Sequence, residues 1–74
     1  MKPYRYIVAY GRYIGASEEA IRAEVAHAAA RGAPKSCCWS PLWAESWLTL
    51  DQLSPLTQHN LQRLVERPDV RDFE

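Results

Sequence analysis

The sequence predicts an α+β domain of ferredoxin-like βαββαβ order, an antiparallel sheet with two helices on one face. Three observations lead there. Residues 4–10, Tyr-Arg-Tyr-Ile-Val-Ala-Tyr, are rich in aromatic and β-branched side chains and run into Gly11. Two later stretches carry helix start and stop signals, one closing at Gly32 and the other before Pro68. Between them, residues 36–50 hold two short apolar runs parted by Ser40-Pro41.

Each element has its own reason. In the first strand, Tyr4, Tyr6, Val8 and Tyr10 alternate with Arg5, Ile7 and Ala9. Both faces are fairly apolar, which predicts a central strand. Ser17 is a natural N-cap, Glu18 and Glu19 suit the positive start of a helix, and Ile21, Val25, Ala28 and Ala29 form one stripe. Gly32 and Pro34 end that helix. In the middle, Ser36–Trp39 and Ser46–Leu50 read as two strands, with Trp39 and Trp47 in them and Trp43 in the loop. Trp39, Trp43 and Trp47 also recur every four residues behind Ser40-Pro41, a cap and first helical residue. On that alternative the chain is a smaller α+β domain with three helices.

The second helix carries Leu61, Leu64 and Val65. Thr57 would cap it, with Leu56 stapled on Leu61; alternatively Ser54 caps and Pro55 is its first residue. Pro68 ends it, and Val70–Phe73 is expected as a short edge strand.

The chain has 74 residues, and a single domain over 1–74 is expected. A domain of this size buries only about 60–65% of the surface its unfolded chain exposes, so its core is marginal. Net charge is zero, divided as +3 over residues 1–35 (six basic, three acidic) and −3 over 36–74 (three basic, six acidic). That balance argues against a strong nucleic-acid binder and allows head-to-tail association into a homodimer. Seven arginines against two lysines, with abundant alanine, suggest a GC-rich bacterial or phage genome. No apolar run is long enough to span a bilayer, and the first residues show no leader pattern, so no membrane partner and a cytoplasmic location are expected.

Catalytic and metal chemistry find little support. Cys37-Cys38 is one adjacent pair, and His27 and His59 lie far from it and from each other, without zinc-ligand spacing. A catalytic thiol needs a positioned base and an oxyanion site, and neither is legible nearby. Two reduced thiols in or beside a strand, one facing inward, are the simpler expectation. Gly11 and Gly15 lack the spacing of a phosphate loop. No cofactor, metal or catalytic residue is therefore expected.

Leu56-Thr-Gln-His-Asn-Leu-Gln-Arg-Leu-Val-Glu-Arg-Pro-Asp-Val70, preceded by Leu50-Asp-Gln-Leu53, resembles the end of the N-terminal domain of Mu-like prophage FluMu proteins. The likeness covers about the last third of the chain, residues 50–73. It implies a phage or prophage origin and transfers no catalytic residue. The first half of the chain departs from that family.

The functional expectation is a small non-catalytic protein that binds a host or phage protein. Two roles fit: an inhibitor of a host system, in the manner of an anti-CRISPR protein, or a minor virion or assembly component. All three tryptophans fall within residues 39–47. Surplus indoles near turns point to contact anchors. Trp39 and Trp43 are the expected anchors, with Arg12 and Tyr13 from the first β–α turn, and Trp47 in the core. The alternative is an RNA-binding module that stacks bases on the strand aromatics Tyr6 and Tyr10.

Overall fold

The computed structural model describes residues 4–40 and 47–73. In chain order they form helix α1 (Arg5–Ile14), helix α2 (Glu18–Arg31), strand β1 (Cys37–Trp39), strand β2 (Leu48–Thr49), a 3₁₀ turn (Leu50–Gln52), helix α3 (Pro55–Leu64) and helix α4 (Pro68–Arg71). The α+β class holds, but the sheet is a single antiparallel pair, so the βαββαβ arrangement does not form. The middle helix of the three-helix alternative would run from Ser40-Pro41 to Leu50; residues 48–49 are strand instead, and 41–46 lie outside the described residues.

The largest correction is at the start of the chain. Residues 4–10 are not a central strand; most of them belong to α1. Tyr4, Ile7, Val8 and Gly11 are buried at i, i+3, i+4 and i+7, which is a helical stripe. That stripe packs on α2, β1, α3 and α4 together, and burial on four sides outweighs the strand preference of its aromatic and β-branched residues. Gly11 is therefore no stop. The stop is Gly15, whose φ of 77° supplies the left-handed cap residue. At the other end Tyr4 has φ 55° and donates its hydroxyl to the Ala33 carbonyl at 3.0 Å. The Lys35 ammonium lies 4.6 Å above its ring.

Helix α2 follows its sequence signals. Ser17 Oγ accepts from the Ala20 N–H at 3.2 Å, and Gly32 closes the helix at φ 68°. Its buried residues are Ile21, Glu24 and Ala28, with Val25 half-buried and Ala29 exposed. A carboxylate thus occupies one place in a stripe expected to be wholly apolar.

The strands confirm the extended reading on either side of residue 40. Cys37 pairs with Thr49 and Trp39 with Leu48, with an irregularity between them. The connection includes residues 41–46, so Trp43 lies outside the described residues. Thr49 and Gln52 close the following 3₁₀ turn as a reciprocal capping box.

Helix α3 takes the Ser54–Pro55 start: Ser54 Oγ accepts from the Thr57 N–H at 3.3 Å. The staple expected with a Thr57 cap is absent, since Leu56 is 69% exposed while Leu61 is fully buried. The expected edge strand at 70–73 is also corrected. Pro68 begins a helix rather than merely ending one, because at the first helical position its missing N–H costs nothing. Val70 is buried from that short helix.

Among the described residues the core has two clusters. Val8, Ala9, Ile21, Cys38, Leu61, Val65 and Val70 form one; Tyr4, Ile7, Ala28, Ala33 and Cys37 form the other. Strand alternation sends the adjacent cysteines to opposite clusters, and both are fully buried rather than one. Among the described residues, no helix is long and apolar enough to cross a membrane.

Candidate functional site

Once residues 5–14 are a helix, its tyrosines share a face. Tyr6, Tyr10 and Tyr13 lie at i, i+4 and i+7, with Tyr6 and Tyr10 half-buried against the first core cluster and Tyr13 exposed. Trp39, half-buried at the end of β1, packs on Tyr10 with ring centroids 6.1 Å apart and planes tilted by 37°. Tyr10 in turn meets Tyr13 at 6.4 Å and 42°. These are ordinary tilted aromatic contacts. They join two of the expected anchors, Trp39 and Tyr13, into one row through a residue not singled out as an anchor.

The row ends at the surface. Tyr13 is 45% exposed and its neighbour Ile14 is 49% exposed. Tyr13 forms one wall of an open cleft of about 400 Å³, whose other walls are Asn60, Arg63, Leu64 and Arg67. Those four come from α3 and the turn after it. Their spacing, i, i+3, i+4 and i+7, was readable as one helical face. What hid the cleft was the wrong conformation assigned to the segment carrying Tyr13.

Arg12 faces elsewhere. Its guanidinium pairs with Glu18 at 3.2 Å and reaches Asp69 at 3.8 Å, and it lies 5.4 Å from the Phe73 ring. Arg22 approaches the same ring at 5.3 Å. Arg12 therefore ties α1 to the start of α2 and to the end of the chain, rather than standing as a free contact residue. Asp69 also accepts Arg67 at 3.2 Å, which links Arg12 to the cleft through a shared carboxylate.

The other polar group of note is interior. Glu24 is 2% exposed and accepts the Ser40 N–H at 2.6 Å. Burial raises its carboxyl above the ordinary 4.5, partly offset by the Ser40 bond and by His27. His27 lies against Trp47 with centroids 5.4 Å apart. Trp47 is half-buried against the second core cluster, as expected of a core indole, although its buried Nε1 has no hydrogen-bond partner among the described residues.

The thiols do not look reactive. Cys37 and Cys38 are both free. Burial pushes both up to about 11, with Glu24 adding to the shift at Cys37, and Cys37 and Asp51 adding at Cys38. Thiols so shifted stay protonated at neutral pH and are poor nucleophiles. Among the described residues, no group of three or more His, Cys, Asp and Glu side chains is placed to hold a metal ion.

Comparison with family models, curated proteins and solved structures finds no match to this chain.

Proposed function

We propose that this chain is a small, non-catalytic protein-binding domain of phage or prophage type. It docks a partner along the Trp39–Tyr10–Tyr13 row and the cleft beside it. The observation that carries this reading is Tyr13, a large aromatic side chain 45% exposed at the mouth of a cleft and backed by two further rings. Aromatic anchors on a rigid element lose little freedom on binding, so their contacts count toward affinity. The phage assignment draws on the FluMu-like C-terminal third and the arginine- and alanine-rich composition. Two roles follow: an inhibitor that occludes a host protein, such as an anti-CRISPR-like factor, or a minor virion or assembly component.

The RNA alternative stacked bases on Tyr6 and Tyr10 of a sheet, and those residues now lie on α1. Neutral net charge also disfavours it. The test is capture by the tagged chain from bacterial lysate, before and after infection, beside the Tyr13→Ala variant. A partner from uninfected lysate supports the inhibitor role, and a phage-encoded partner supports the virion role. In either case Tyr13→Ala weakens capture about tenfold or more. Capture indifferent to Tyr13→Ala, or abolished by nuclease, contradicts the proposal.

A further inference from the structure

The geometry points to the cleft's occupant: an acidic segment of a partner protein, its carboxylates held by Arg63 and Arg67 while an apolar side chain packs on Tyr13 and Leu64. This rests on the protein-binding reading above and names the partner's chemistry. The argument begins with charge. Among the described residues, Arg63 has no carboxylate within ion-pair distance. Arg67 shares the single carboxylate of Asp69 with Arg12. Two arginines four residues apart thus line the cleft, and among the described residues Asp69 is the one carboxylate ion-paired with either.

Hydrogen-bonding capacity agrees. A guanidinium has five donors and no acceptor, and its planar fork matches a carboxylate. The ligand must therefore supply acceptors. The remaining walls are apolar or mixed: Leu64 half-buried, the Tyr13 ring, and the Asn60 amide. A bare phosphate chain would leave the apolar walls uncovered, whereas a peptide that mixes acidic and apolar side chains covers both parts. The neutral net charge of the chain also favours a short acidic peptide over a polynucleotide, which needs a broader basic surface.

The test is selection of random dodecapeptides on the immobilised full chain. The winners are then titrated against wild type, Arg63→Ala/Arg67→Ala and Tyr13→Ala. Circular dichroism verifies that these exposed substitutions leave the fold intact. The expected winners carry acidic residues beside an apolar one. Their affinity falls about tenfold or more in the double arginine variant, and the Arg63→Lys/Arg67→Lys variant recovers only part of it because lysine lacks the fork. Winners that are neutral, or acidic but indifferent to the arginine variant, overturn the acidic assignment. If those winners still depend on Tyr13, the binding-domain reading survives. Winners indifferent to both variants, or no winners, sink both readings. An oligouridylate bound through the same arginines more tightly than any peptide overturns the choice of a protein partner.

Discussion

Glu24 holds its carboxylate inside an apolar stripe, with one short bond to the Ser40 N–H. That bond ties the middle of α2 to the residue just after β1. Removing the acceptor strands a buried N–H, so Glu24→Ala should cost about 1–3 kcal/mol in urea unfolding. Glu24→Gln keeps an acceptor without the charge. The folded carboxyl titrates above its ordinary 4.5 because burial disfavours the charged form. The folded state therefore holds that proton more tightly than the unfolded state does. Its contribution to stability is full below 4.5 and is lost as pH rises through the raised value. Thermal melts across this range should show wild type losing stability relative to Glu24→Gln as pH rises. His27 and Cys37 are the titratable groups that act on this carboxyl from α2 and β1. A wild type that gains on Glu24→Gln with rising pH would contradict the assignment.

At the scale of elements, α1 is the piece against which the others pack. It passes close to α2 at Gly11: a Cβ there would lie 2.5 Å from Ile21 Cγ1 and 2.8 Å from Ile21 Cδ1, with the Trp39 ring at 3.2 Å. Alanine would improve helix propensity by about 1 kcal/mol. Ile21 is fully buried and β-branched, so it has little room to yield. Overpacking of about 1–3 kcal/mol should therefore match or exceed the gain, and in a double-mutant unfolding series the penalty of Gly11→Ala should disappear in an Ile21→Ala background, which removes both Cγ1 and Cδ1. The same glycine explains what was legible in the sequence. Caps are local chemistry, so Ser17 and Gly32 could be read directly, and Ser54–Pro55 as one of two possible starts for α3. The short strands around Cys37–Trp39 and Leu48–Thr49 were legible only as one of two readings, beside a helix started by Ser40-Pro41. Whether residues 4–10 alternate with period two or curl with period 3.6 depends on what they pack against, and that contact is non-local. The Tyr13 end of the candidate site was named from sequence. Its other wall, Asn60 to Arg67, has a regular spacing in the sequence, but nothing paired it with Tyr13 until residues 5–14 were placed as a helix.

At the scale of the whole molecule, the uneven charge of the two halves is partly folded away. Arg12 and Arg22 from the first half gather on Phe73, and Arg12 reaches Asp69 in the second. Sequence asymmetry is then a weaker motive for head-to-tail pairing than linear charge suggests. The small core depends on both thiols, one in each cluster, so their reactivity reports global opening. A thiol reagent at pH 8 should label Cys37 and Cys38 slowly and together in the native protein, and quickly once urea unfolds it. Fast labelling of either one alone in the native state would contradict their burial. The central claim concerns the face that carries Tyr13. Its most direct measurement is photo-crosslinking in infected cells, with a photoreactive phenylalanine at Tyr13 in one variant and at Ala30, exposed on α2, in the other. A discrete protein adduct from position 13 and none from position 30 is the predicted result; equal adducts from both, or none from position 13, would contradict the account.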